Sequence, residues 1–332
     1  MNIGGLRING QVMLAPMAGF TDTPFRVLCH RYGSVLNFTE MISAKGVVAN
    51  DPRSLRMTSI SMDEGTTAVQ LFGDEPETIA NAIRMIEENP QGPGTPAMFD
   101  LNAGCPVKKV IQKGAGSDLL RKPELLGKII RTMRNATELP ISVKMRLGWD
   151  SPDAADFPDV SDWDHVRIAR LIEENGADLL IVHGRYRDQK YSGKAHVNRI
   201  REIVDAVGIP VVGNGDILDE ESAERMLEEA GCSYLMVGRG AQGNPFIFKR
   251  LNHFLSSGEK IRQKSKVMLF EEYLDLARGY GIRDPLIKKQ SMQFIRGMKD
   301  LRAIQAEVKL LTEPDAILNT MRTFEDSGSR LH

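Results

Sequence analysis

The stretch FDLNAGCPVKKV, residues 99–110, ends an alternating apolar run and then sets one thiol, Cys105, beside Pro106 on a turn of small residues. Such a thiol has two readings. It is a small apolar filler, or it is an acid, since a thiol keeps its proton at neutral pH and can still give it up. Other residues able to do chemistry lie in or just after further short apolar runs. Lys144 and Arg146 stand in ISVKMR, His183 in LLIVHG, Gln70 in AVQLF, and Asn102 just ahead of the thiol. Pro16, Met17 and Ala18 follow VMLA, and Glu40 closes VLNFTE. A lysine inside an apolar strand either snorkels outward or faces an anion or electron-rich ring that offsets its burial. A histidine at a strand end is either a satisfied packing residue or a ligand contact.

Two glycine-rich segments carry Asn214, Gly215 and Asp216 (GNGDI) and Gly238 and Arg239 (GRGAQG). Bare amides on such loops can approach a phosphate, with Arg239 as a charged clamp. The alternative is that the glycines only make tight turns. GRGAQG also matches the dinucleotide fingerprint GxGxxG, but that reading requires a further parallel strand ending in an acid about 20 residues on. Downstream there are only helical patterns, with Glu259 in a polar turn, so the phosphate reading is kept.

These residues need a scaffold that gathers strand ends. Eight apolar, β-rich runs appear in order, at 12–16, 35–40, 68–72, 97–102, 141–146, 179–184, 210–215 and 234–239. Their near-continuous hydrophobicity suits parallel strands buried on both faces. Helical patterns alternate with them. PETIANAIRMIEEN places Pro76 in a first turn and Ile79, Ile83 and Ile86 on one face. Later ones run up to Gly176, Gly208 and Gly231, residues suited to end a helix. The class is α/β, and eight strands over about 240 residues favour a closed (β/α)8 TIM barrel, whose sites lie where strands end. Residues 148–162 read as an acidic, Pro-rich loop after the fifth strand. Beyond Gly240 the strand signal stops, and patterns at 266–281, 285–301 and 315–324 are helical. The expected division is a barrel over 1–240 and a smaller all-helical domain over 241–332.

The 332 residues are 42% hydrophobic, enough for a full core. No window approaches the ~18 apolar residues of a membrane span, and the N-terminal segment lacks the order of a signal peptide. Three widely spaced cysteines make neither a disulfide framework nor a metal site and fit a reducing cytoplasm. Net charge is −1, but residues 241–332 hold 16 Lys and Arg against 11 Asp and Glu. A basic tail on an acidic body points either to a polyanion partner or to a solvated helical face.

Taken together, LAPMAGFTDTPFR (14–26), AVQLFG (68–73), DLNAGCPVKKVIQKGAGSDLL (100–120), VKMRLGW (143–149), IVHGR (181–185), VVGNGDI (211–217) and MVGRGAQGNPF (236–246) closely resemble the tRNA-dihydrouridine synthase family, in the family's order. The resemblance implies an FMN enzyme that reduces uracil in tRNA with NADPH. It implies that Pro16, Met17 and Ala18 line the flavin, that Gln70 and Lys144 meet the ring's polar edge, and that His183 also touches the cofactor. Asn214, Gly215, Asp216, Gly238 and Arg239 would hold the phosphate, and Cys105 would be the proton donor. The helical C-terminal domain would grip tRNA.

Asn102 and Arg146 are expected on the substrate side, and Arg283, Lys288, Lys289, Arg296, Lys299 and Arg302 as phosphate contacts to tRNA. Many family members carry a Lys-His pair in a C-terminal helix. Here the run is KKQ (288–290), so no histidine role transfers. Two other readings stay open: a flavin barrel acting on a small molecule, as dihydroorotate dehydrogenases do, and a catalytically silent tRNA-binding protein.

Overall fold

The computed structural model describes residues 2–151 and 164–329. Residues 152–162 of the acidic segment lie outside the described residues. Eight parallel strands form where the apolar runs predict them. They are β1 (Val12–Leu14), β2 (Asn37–Phe38), β3 (Thr67–Phe72), β4 (Met98–Ala103), β5 (Ile141–Arg146), β6 (Leu179–His183), β7 (Val211–Asn214) and β8 (Tyr234–Val237). They pair in the order β1-β8-β7-β6-β5-β4-β3-β2, with the short Ile42–Ser43 strand also on β3. Val35 N–H donates to Val12 O at 3.0 Å, and Leu14 N–H to Leu36 O at 3.0 Å, so the sheet returns to its first strand. This is the expected TIM-barrel architecture.

The two-residue period of a strand sorts its side chains between layers. On β5, Ile141, Val143 and Met145 join the apolar core between barrel and helices. Ser142, Lys144 and Arg146 therefore face inward. Inside the barrel, Met13, Phe38, Ala68, Met98, Leu179, Val212 and Tyr234 form a second apolar cluster. Ile3, from the N-terminal ladder of Asn2–Ile3 with Leu6–Arg7, and Ile8, which follows it, join that cluster and plug the end where strands begin. Polar residues take over toward the other end, where the strands finish.

The helices follow their sequence signals. Pro76–Glu88 and Pro123–Arg134 begin on proline, and Ile79, Ile83 and Ile86 are buried. Glu220–Ala230 starts at an Asp219 capping box and stops at Gly231, with φ 65°. Gly208 does not serve as a stop, because the Val197–Val204 helix ends at Asp205.

Beyond β8 the described chain is helical: Ile247–Ser257, Lys266–Gly279, Asp284–Phe294, Leu301–Leu310 and Pro314–Ser329. The pattern over 285–301 is interrupted after Phe294, and Asp300, with φ 55° in the left-handed region, starts the next helix. The Ile247–Ser257 helix packs on β1 and on Glu220–Ala230, whereas Lys266–Gly279 packs on Thr23–Arg31. Phe294 joins Phe270 and Tyr273 with ring centroids 5.5 Å apart, binding the 266–279 and 284–294 helices. Among the described residues, no helix is long and apolar enough to cross a membrane.

Candidate active site

A cavity of about 330 Å³ opens at the C-terminal ends of the strands. Strand register sets its polar lining in two neighbouring rows, one pairing Asn102 with Lys144 and the next pairing Arg146 with His183 and His183 with Asn214. Ala15, Pro16, Met17 and Ala18 give it an apolar wall. Gln70, Asn102, Cys105, Lys144, Arg146, His183, Asn214, Gly215, Asp216, Gly238 and Arg239 line the rest. Every barrel residue singled out from the sequence therefore meets in one place, except Glu40, which accepts from the Gly19 N–H and braces the wall loop.

Cys105 is the only one of the three cysteines that is not buried. Its turn is held by Asn102, whose Oδ1 accepts from the N–H of Gly104 at 3.2 Å and of Cys105 at 2.9 Å. Arg146 braces the same turn by donating Nε–H to Gly104 O at 3.0 Å. Burial pushes the Cys105 thiol up, against the Val107 N–H and the charges of Arg146 and Lys144, so it keeps its proton at neutral pH. Cys105 lines the cavity and is not part of the buried core, so its protonated thiol is a group able to donate.

Lys144 points inward and donates to Asn214 Oδ1 at 3.0 Å. Asn214 in turn donates to Met236 O at 2.7 Å. Burial lowers Lys144 to about 8, with Asp100 opposing and Arg146 assisting. Asp100 lies one layer deeper with 0% exposure, and burial raises it to about 7 against the pull of Ser142, Gln70 and Lys144.

The glycine-rich end of the cavity is built around Asp216. Its carboxylate accepts from Arg185 at 2.7 and 2.9 Å, from Arg239 at 2.8 Å and from the Ala195 N–H at 2.9 Å. The carboxylate thus orients two guanidinium groups. Lys144, Arg146, Arg185 and Arg239 make the mouth cationic, and burial together with those charges holds His183 well below its usual range, hence neutral. Tyr191 is exposed between Arg146 and Arg239, which stand 5.7 and 5.0 Å from its ring centre. A Cβ at Gly238 would meet Ala15 Cβ at 3.6 Å, ordinary contact. Packing does not require glycine there, and its bare backbone lies open on the cavity. Gly243 serves packing instead. A Cβ there would fall 2.3 Å from the Gln293 carbonyl, so the glycine lets the C-terminal helix approach.

The basic candidates separate. Lys289 Nζ stands 5.2 Å from the Phe20 ring, and Arg296 donates to Gln242 Oε1 at 3.4 Å, so both reach cavity-lining residues. Lys288 instead donates to Lys309 O at 2.7 Å. Arg283, Lys299 and Arg302 are exposed on the helical region. Sequence reasoning missed Arg185, Asp100, Tyr191 and Gln290. Gln290 is buried and donates to Phe20 O at 2.7 Å, tying the 284–294 helix to the cavity wall. A charge inside an apolar run was the available signal for Asp100, and one just past a strand end for Arg185; nothing local marked the other two.

The Dihydrouridine synthase family model matches residues 13–314. The chain is 34% identical over 334 residues to a probable tRNA-dihydrouridine synthase of Rickettsia conorii, covering 98% of this chain and 97% of that one. It is 40% identical over 261 residues to tRNA-dihydrouridine synthase B of Shewanella oneidensis, covering 79% and 77%. In fold it is similar to histamine dehydrogenase from Rhizobium sp. 4-9, with TM-score 0.57, 13% identity, and coverage of 83% of this chain and 50% of that one. With the barrel, the thiol turn and a match across nearly its whole length, the chain belongs to the dihydrouridine synthase family.

Proposed function

We propose that this protein reduces specific uridines in tRNA to 5,6-dihydrouridine, with FMN as cofactor and NADPH as electron donor, in the cytoplasm. Residues 1–240 form the catalytic barrel and 241–332 the tRNA-binding part. The observation that supports this most is that the one cysteine that is not buried shares a cavity with Lys144, with Gly215 and Gly238, and with Arg239.

The cavity fits FMN. Lys144 has three N–H donors and, among the described residues, one hydrogen-bond partner, leaving donors for a bound group. Pro16, Met17 and Ala18 offer an apolar face for the ring, and Gln70 and Lys144 a polar edge. Gly215, Gly238 and Arg239 take the phosphate, with Asp216 holding Arg239 in place and His183 contacting the cofactor as a neutral ring. Once reduced by NADPH, bound FMN would supply a hydride, from N5 to C6 of the uracil.

Cys105 supplies the matching proton to C5, which needs a thiol protonated before the step. Burial gives it that state. Lys144, kept cationic by the Asp100 charge below it, favours negative charge at the polar edge of the cavity. Asn102 and Arg146 hold the acid in position and face the substrate side. A stacked uracil cannot reach this depth, so the base is extruded from the tRNA. Cations beside the mouth, Lys289 and Arg296 foremost, hold phosphates without reading sequence.

The test is to incubate the purified protein with FMN, NADPH and tRNA lacking the modification, then map dihydrouridine. Dihydrouridine at defined positions is expected. Steady NADPH oxidation with no dihydrouridine in tRNA would move the activity to another substrate.

A further inference from the structure

We infer that Asp100 is a positioning residue for the thiol: it is the terminal acceptor of a one-way hydrogen-bond chain that runs through Gln70 and Asn102 and seats the Cys105 turn. The inference rests on Cys105 being the acid.

The chain's direction follows from its two ends. At the turn, the backbone N–H groups of Gly104 and Cys105 can only donate, and both meet Asn102 Oδ1. Asn102 must therefore turn its NH2 back toward the barrel, where it donates to Gln70 Oε1 at 2.9 Å. That commits Gln70 to present its own NH2 inward, and it donates to Asp100 Oδ2 at 2.7 Å. A carboxylate accepts only, so the chain ends there. Ser142 Oγ–H occupies the other oxygen at 2.5 Å.

Reversing either amide would set donor against donor or acceptor against acceptor. A carboxylate at the bottom and two N–H groups at the top agree on one sense for both amides. Burial pushes Asp100 up to about 7 against Lys144 on the next strand, and in either protonation state the oxygen facing Gln70 can accept, which is all this sense requires. Packing alone gives no reason for a carboxylate here, since bulky branched apolar residues usually fill barrel interiors and Asp100 is wholly enclosed.

The test reads the thiol and not the reaction. The full-length protein is alkylated with iodoacetamide under native conditions, and each cysteine is followed by peptide mass spectrometry. Cys29 and Cys232 are buried and serve as internal controls. Asp100→Leu removes the acceptor at similar size and should speed labelling of Cys105 about fivefold, the equivalent of one net hydrogen bond, while both controls stay protected. Asp100→Asn keeps an oxygen for Gln70, and the Ser142 hydroxyl can turn to accept, so its labelling should match the wild type.

An unchanged rate in Asp100→Leu overturns the inference. So does equal acceleration in Asp100→Asn, which would make charge and not the acceptor responsible. If Asp100→Leu labels all three cysteines it has unfolded, and Gln70→Met, which cuts the chain one link higher, decides. Selective acceleration there supports the chain, and none overturns it. The acid reading fails separately, if Cys105→Ala still forms dihydrouridine at the wild-type rate.

Discussion

Asp216→Asn isolates the charge that organises the two guanidinium groups at the glycine-rich end of the cavity. The side chain keeps its shape, and asparagine tolerates the left-handed backbone here, φ 54°, as aspartate does. What disappears is the negative partner of Arg185, a residue only 1% exposed that donates to Asp216 at 2.7 and 2.9 Å. Removing one partner of a buried ion pair costs about 3–5 kcal/mol. Asp216 itself is 25% exposed, which places the cost at the lower end, about 3 kcal/mol. Burial works against its ionisation, but the Ala195 N–H and the two guanidinium groups overcome that and hold the carboxyl below its usual range. A depressed folded value means the stabilisation is present above the unfolded pKa of about 3.9 and is lost as pH falls through the folded value. Urea unfolding of both proteins should therefore show the full gap at pH 7 and a shrinking one below about pH 4. A gap under about 0.5 kcal/mol at pH 7, or one that persists unchanged in acid, would refute the role given to this carboxylate.

Three further outcomes are expected. Lys144, lowered to about 8 by burial, loses its charge as pH rises past that value, so FMN affinity followed by flavin fluorescence should fall across it; Lys144→Met should bind more weakly and without that pH dependence. Gly243→Ala sets a Cβ 2.3 Å from the Gln293 carbonyl at φ 60°. Overpacking and left-handed strain together cost about 3 kcal/mol, so the thermal midpoint should drop by roughly 4 °C, and an unmoved midpoint would mean the helix does not sit there. Reversing Lys289 and Arg296 to glutamate should weaken tRNA binding and flatten its log-salt slope by roughly one for each phosphate no longer neutralised; an unchanged slope places the docking face elsewhere.

The barrel was legible because buried parallel strands must be apolar on both faces, and strand ends follow from where those runs stop. β5 matches its run residue for residue, Ile141–Arg146. That same alternation told Lys144 from Val143, although the direction it faces needed the closed sheet. Less legible were roles set by partners distant in sequence. Arg185 follows His183 by two places, yet its carboxylate lies 31 residues on, at Asp216. Asp100 reads as an ordinary motif residue until Gln70, 30 residues back, is seen to donate to it. The last glycine of GRGAQG illustrates the opposite error: the motif suggests a phosphate, whereas Gly243 makes room for a helix whose backbone arrives some 50 residues later. Basic residues on the C-terminal helices share one composition, and only packing separates Lys289, over Phe20, from Lys288, turned to Lys309.

Proton delivery by the Cys105 thiol is the step on which the proposed reaction depends. A single-turnover measurement with Cys105→Ala, loaded with FMN, reduced by NADPH and mixed with unmodified tRNA, isolates it. tRNA should still bind and the flavin should still be reduced, while dihydrouridine forms at least about 100-fold more slowly than in the wild type. Formation at the wild-type rate would contradict the assignment of the thiol as the acid.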